Sequence, residues 1–238
     1  MYKTIVFDLD GTLLDTLDDL TEAVNAALKA YGLPLRSKEE VRSFIGNGIA
    51  KLMQRACGIE NYPDQEGLLN AFKQYYAVHC ADNTKAYDGV LAMLRTLREK
   101  GIKTAVLSNK ADFAVKQLAK TYFDGLLCEA AGENEAAGIR KKPAPDALFS
   151  IMQNLGVSAE ETLYVGDSEV EIQTANNAGV ACVSVAWGFK DEDFLLRHGA
   201  TKIARSSESN EKLRVKPVVF HLYCLFFKII KVFFIKKL

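Results

Sequence analysis

Two aspartates two residues apart, Asp8 and Asp10, follow directly on the apolar run Thr4-Ile5-Val6-Phe7. Such a run reads as a strand buried on both faces, which places the acids at its carboxyl end. Residues two apart along a strand point to the same side, and in open α/β sheets ligands bind in the crevice beyond the strands' carboxyl ends. Gly11 permits a sharp turn immediately afterwards, and Thr12 offers a hydroxyl beside the acids. Like charges held close together and away from water call for a cation, and hard carboxylate oxygens suit Mg2+.

Two later strand ends carry residues suited to the same chemistry. Ser108 follows the apolar stretch Lys103–Leu107, where a hydroxyl and the following backbone amides could hold phosphate oxygens. Asp167 follows Thr162–Val165 and Gly166 and is placed to act as a further acidic ligand, with Ser168 capping the next helix. Each feature has an ordinary alternative: a solvated acidic turn, a turn serine, a surface lysine pair at Lys141-Lys142. Only their combination on one sheet would amount to a site.

The elements that must position them follow from the hydrophobic periodicity. After Thr16 the pattern turns helical, with Leu17, Leu20, Val24, Ala27 and Leu28 on one face until Gly32 and Pro34. Ser37 with Glu40 is a capping-box signature for a second helix, running to Ile45. The corner Gly46-Asn47-Gly48 precedes a third helix, Ile49 to Ala56, and a fourth is expected over Gln65 to Cys80. No strand pattern interrupts residues 17 to 82, so this span reads as a helical bundle inserted after the first strand.

From Tyr87 the pattern alternates. A helix capped by Asp88 carries Val90, Leu91, Leu94 and Leu97; then come the strand Lys103–Leu107, the loop Ser108-Asn109-Lys110 and a helix near Asp112–Lys120. A short strand at Leu126–Cys128, a helix over Pro145–Leu155, the strand Thr162–Val165, a helix ending at Gly179 and the strand Ala181–Val185 complete the series. Strands alternating with helices predict an α/β fold with a Rossmann-like, doubly wound parallel sheet.

The string from Thr4 to Thr16 resembles the opening signature of the haloacid dehalogenase-like superfamily, mostly phosphohydrolases, at every position of hydrophobic-x-D-x-D-G-T-L-x-D. The resemblance continues in order along the chain: LSNK around Ser108 is similar to the family's Ser/Thr motif, and KKPAPD to its K-P-x-P, with Lys142 directly before Pro143. VGDSEVEI is similar to G-D-S-x-x-D, with Glu171 where the family has Asp. It covers residues 1 to about 205. The stretches VAWGF (Val185–Phe189) and FIGNG (Phe44–Gly48) further resemble the phosphoglycolate phosphatase branch.

The resemblance implies a core made of residues 1–16 and 84–205, a mobile helical cap at 17–83, and a Mg2+-dependent phosphatase acting on a small phosphomonoester such as phosphoglycolate. It implies Asp8 as the nucleophile that takes up the phosphoryl group and Asp10 as general acid and then base. Thr12, Ser108, Asn109 and Lys142 would bind the phosphate, and Asp8, Asp167 and the Asp10 backbone carbonyl the metal, with Glu171 as a supporting acid. The corner Gly46, Asn47 and Gly48 would face the substrate, and Lys51 is either a contact or a plain solvent-facing helix residue. A phosphosugar mutase of the same fold is the nearest rival. A phospho-acceptor binding module is a more distant one, because receivers carry their acids on different strands and are roughly half this length. Intact acids and lysine argue against an idle relative, and Asp10 against dehalogenase chemistry.

Bulk properties narrow the classes. With 30 basic and 30 acidic residues the net charge is zero, which argues against a nucleic-acid partner. The balance conceals an asymmetry: residues 212–238 hold seven Lys and Arg and no acid, leaving 23 basic against 30 acidic elsewhere. Five cysteines, odd in number and without a C-x-x-C, suit neither a disulfide framework nor a zinc site and point to a reducing compartment. The amino terminus enters a strand at once, without a secretory signal, so a cytoplasmic protein is expected. The atypical tail, 206–238, has an uncharged run from Pro217 to Phe227, short of the roughly 20 residues that span a bilayer. As a helix it would show a narrow stripe of His221, Cys224, Lys228 and Lys231 among phenylalanines, a make-up found at membrane surfaces. Apolar helices are more often buried in protein, so the first expectation is that it packs on the core or on a second subunit, or is an unnatural end that never orders.

Overall fold

A computed structural model describes residues 2–135 and 138–205; the expectations for the tail from 206 onward lie outside the described residues. The central strand β1 (Thr4–Phe7) is wholly buried, as its uninterrupted apolar sequence demands. The chain leaves it through Asp8–Leu13, forms the two-residue strand β2 (Leu14–Asp15), and enters four helices: α1 (Leu17–Ala30), α2 (Lys38–Phe44), α3 (Ile49–Cys57) and α4 (Gln65–His79). It returns through β3 (Lys85–Ala86), which pairs antiparallel with β2. The helical insert is therefore joined to the rest by a narrow two-stranded ribbon that periodicity, which needs longer runs, does not reveal.

The remainder alternates: α5 (Val90–Glu99), β4 (Lys103–Ala111), α6 (Asp112–Phe123), β5 (Glu129–Glu133), α7 (Asp146–Leu155), β6 (Thr162–Gly166), α8 (Glu169–Ala178), β7 (Ala181–Val185), α9 (Glu192–Arg197) and β8 (Ile203–Ala204). The six long and short strands form one sheet in the order β5-β4-β1-β6-β7-β8, with every pairing parallel. β1 lies between β4 and β6, so the chain order reverses there and three carboxyl ends open into one crevice. Each face of the sheet is covered. Ile5, Phe7, Val106 and Leu163 belong to the larger apolar cluster, which continues into α1 and α5, whereas Val6, Leu107 and Tyr164 pack with Leu148 and Ile151 of α7 and Ala175 of α8.

Three local expectations are corrected. The strand expected at Leu126–Cys128 lies at Glu129–Glu133: Leu126 N–H closes a turn onto the Phe123 carbonyl, and pairing with β4 begins only where Cys128 N–H reaches the Thr104 carbonyl at 2.7 Å. Asp88 does not cap α5; the N-cap is Gly89, at φ +81°. Ser108-Asn109-Lys110 is not a loop, because β4 continues to Ala111 with a register shift between Leu107 and Ala111. Such bulges re-aim side chains at sheet ends, here toward the crevice.

Candidate active site

Asp8 continues the line of β1, its N–H donating to the Val165 carbonyl at 2.8 Å, and its carboxylate meets the Lys142 ammonium at 2.8 Å. The same ammonium donates to Glu171 Oε1 at 2.6 Å and to the Leu107 carbonyl at 3.1 Å. Lys142 is held from its backbone as well: its N–H donates to Asn109 Oδ1 at 2.8 Å, while Asn109 Nδ2 donates to its carbonyl at 3.0 Å. Asn109 also donates to the Gly46 carbonyl of the insert at 3.3 Å. Lys141, by contrast, points to Glu135.

Glu171 owes its place to local helix chemistry. It is the third residue of α8 and completes a capping box with Ser168, whose N–H and hydroxyl donate to Glu171 Oε2 at 3.1 and 2.6 Å. A glutamate can reach back to the helix start with one oxygen and hold Lys142 with the other. Asp167 is fixed by a different route: the Thr12 hydroxyl donates to Oδ1 at 3.4 Å and Phe189 N–H to Oδ2 at 2.6 Å. The backbone of Gly11, at φ +82°, and that of Gly188 come so close that a Cβ on either would lie 2.3 Å from an Asp167 atom. No side chain fits there.

Asp10 sits at the crevice edge. Lys110 Nζ donates to both its oxygens, at 2.9 and 3.0 Å, and the Thr16 hydroxyl donates to Oδ1 at 2.8 Å. The Lys110 ammonium is buried and lies 4.6 Å from the ring centre of Tyr76 in α4. Burial opposes its charge, but Asp10 and then Tyr76 outweigh that and raise its pKa above the ordinary lysine value. Lys110 is a site residue that the sequence reading left in a loop. Its signal was its place as third member of Ser108-Asn109-Lys110.

A single cavity is lined by Asp8, Asp10, Ser108, Asn109, Lys142, Asp167 and Glu171, with Gly46 and Gly48 from the insert. Its apolar side is made by Leu20, Ile45, Ile49 and Leu52, and Lys190 lines it too. Three other residues expected at the phosphate or the substrate do not line it in this structure and have other partners. Thr12 uses its hydroxyl on Asp167, Asn47 accepts from Arg55 Nη2 at 2.8 Å, and exposed Lys51 donates to Gln54 at 2.8 Å.

Three buried carboxylates, Asp8, Asp167 and Glu171, offer oxygens within 4.8 Å of one another. Burial, followed by the neighbouring charges of Glu171 and Asp10 and against the pull of Lys142, pushes Asp8 up to about 7. Asp167 is raised well above the ordinary range by burial, then by Glu171 and Asp8. Lys142 stays charged, since Asp8 and Glu171 more than offset the cost of its burial. One ammonium does not neutralise three acids, and the oxygen donor set fits a hard divalent cation.

The family model described as haloacid dehalogenase-like hydrolase matches residues 5–185. The phosphoglycolate phosphatase of Pseudomonas savastanoi pv. phaseolicola is 35% identical over 194 residues, spanning 79% of this chain and 70% of that protein. That of Chromobacterium violaceum is 34% identical over 200 residues, spanning 81% and 89%. A crystal structure from Lactobacillus delbrueckii subsp. bulgaricus matches with a TM-score of 0.81 at 36% identity, over 87% of this chain and 96% of that one. The chain is a phosphomonoester hydrolase belonging to the haloacid dehalogenase-like family, on its phosphoglycolate phosphatase-like branch.

Proposed function

We propose that the protein is a Mg2+-dependent phosphatase of small phosphomonoesters, 2-phosphoglycolate among them, working through an aspartyl-phosphate on Asp8. The observation that carries this is the convergence of the Asp8 carboxylate, the Lys142 ammonium, Ser108 and Asp167 in one cavity at the switch point of the sheet. A carboxylate oxygen of Asp8 attacks phosphorus in line, the ester P–O bond breaks, and Asp10 gives a proton to the leaving alkoxide. Water then attacks the phosphorus, Asp10 takes its proton, and phosphate leaves with Asp8 restored. Asp10 must therefore carry its proton when the ester arrives; Lys110 and Thr16 hold it in a fixed orientation and support the second step, in which the carboxylate left after the first proton transfer, paired with Lys110, takes the proton of water.

Lys142 turns from Asp8 toward the arriving phosphoryl oxygens, with the Ser108 hydroxyl beside it. Asp8, Asp167 and the Asp10 backbone carbonyl would hold Mg2+, Glu171 standing in support, and the ion supplies positive charge against the transferring phosphoryl group. We assign the four helices between β2 and β3 the part of a cap over the crevice. Gly46 and Gly48 and the apolar residues of α1 and α3 at the cavity suit a small organic group. The free cysteines among the described residues, Cys57, Cys80, Cys128 and Cys182, are in keeping with a reducing cytoplasm. No helix among the described residues is long and apolar enough to cross a membrane.

The test is phosphate release from a panel of phosphomonoesters, 2-phosphoglycolate and sugar phosphates included, with and without Mg2+. Release that requires Mg2+ and disappears in Asp8→Asn is expected. Isomerisation of a sugar phosphate without net release of phosphate would make the protein a mutase instead.

A further inference from the structure

The insert touches the core where the chain leaves β7. Arg42 of α2 donates through Nη2 to the Gly188 carbonyl and through Nε to the Phe189 carbonyl, each at 2.8 Å. The N–H on the other side of the Gly188–Phe189 peptide bond donates to Asp167 Oδ2 at 2.6 Å. Arg42 and Asp167 thus hold opposite ends of one peptide group. That group is planar, so tilting its carbonyl tilts its N–H by the same angle. A guanidinium on the oxygen also polarises the peptide and strengthens the N–H as a donor.

The rest of the stretch is anchored independently of Arg42. Trp187 Nε1 donates to the Thr12 carbonyl at 3.1 Å, and the Phe189 side chain is buried at the cavity wall. Arg42 itself is exposed apart from these bonds. Its truncation therefore leaves no hole in the core and releases the Gly188 and Phe189 carbonyls, and with the first of them the peptide plane that holds Asp167.

We propose that Arg42 is a positioning residue that orients the Asp167 carboxylate through the Gly188–Phe189 peptide, and so couples the seating of the helical insert to cation binding in the core. The proposal rests on the reading of Asp167 as a ligand of Mg2+. By reciprocity, whatever seats the insert tightens Mg2+ binding, and Mg2+ favours the seated insert. Arg42 gives the insert a line to the metal site that does not pass through the substrate.

The experiment is a calorimetric titration of Mg2+ into the full-length protein, comparing wild type, Arg42→Ala, Asp167→Asn and Arg98→Ala. Arg98 is a remote control with a similar bond to a backbone carbonyl, that of Gly125 at 2.7 Å. Arg42→Ala should weaken Mg2+ binding about 10- to 100-fold, the usual effect of losing a residue that orients a metal ligand. Arg98→Ala should bind as wild type does. Trp187, the only tryptophan of the chain, checks that the rest of the stretch stays anchored: in Mg2+-free protein its quenching by acrylamide should be the same in Arg42→Ala as in wild type, and a rise in accessibility would mean that the whole stretch comes loose and would overturn the role of the single peptide plane. Wild-type Mg2+ affinity in Arg42→Ala, with affinity lost in Asp167→Asn, would overturn the role of Arg42 alone. Wild-type affinity in Asp167→Asn would overturn the assignment of the cation site, and the coupling with it. An equal loss in Arg98→Ala would reduce the effect to net charge and also overturn the coupling.

Discussion

Lys142 presents one ammonium to three acceptors, and both it and its acidic partners are almost wholly withdrawn from water. Removing one member of a buried ion pair costs about 3–5 kcal/mol, because the partner's charge remains buried and unpaired. Lys142→Met is therefore expected to lower stability by about that amount in urea denaturation without metal, and to lose turnover. Asp8 gives a second expectation, through pH. Its pKa is about 7 in the folded protein against an ordinary aspartate value of 3.8, so between these the native state keeps a proton that the unfolded chain has released. Stability of the metal-free protein should fall as pH rises through that window, by roughly a few kcal/mol, with Asp167 acting in the same direction. Denaturation in EDTA from pH 5 to 7.5 checks this, and Mg2+ should restore stability at the upper end; a rise with pH would contradict the buried-acid account. The residue types were legible because motifs set their order, and K-P-x-P selected Lys142 over Lys141. Lys110 was missed because its partner Asp10 lies a hundred positions away, and one-dimensional spacing carries no such distance.

Elements decide which way these side chains point. The strand ends were readable from apolar runs, and capping chemistry was readable too: Ser37 and Glu40 form the box their spacing announces, with bonds of 3.2 and 2.8 Å. The bulge in β4 was not, since Ser, Asn and Lys after an apolar run look like a turn, and only pairing with β5 shows the strand continuing to Ala111. β5 itself, Glu-Ala-Ala-Gly-Glu, has no β-branched residue and is set by its neighbour, not by propensity. Close backbone approach is equally silent in sequence. At Gly188 a methyl group would lie 2.3 Å from Asp167 Cβ and 2.4 Å from the Gly11 carbonyl oxygen. Gly188→Ala should consequently displace Asp167 and weaken Mg2+ binding at least tenfold by calorimetry, whereas Gly32→Ala, where a Cβ meets nothing within 4 Å, should not.

At the scale of the molecule the sheet order places β1 at the reversal point, and among the described residues the β2–β3 ribbon is the strand pairing that attaches the insert. The α/β class and the inserted helices followed from the switch between periods of two and 3.6, but the two-residue ribbon was too short to show. The tail has no motif of the family. Deleting residues 212–238 should leave the rate of phosphate release unchanged, measured beside the full-length protein; a folded but inactive truncation would assign the tail a part in catalysis. The account as a whole stands on the covalent step at Asp8. Rapid acid quench of the Mg2+-loaded enzyme during turnover of 2-phosphoglycolate, followed by peptide mass spectrometry, observes that step directly. One phosphoryl group on the peptide carrying Asp8, absent from Asp8→Asn, is the predicted result; turnover with no phosphoryl group on Asp8 at any quench time would contradict it.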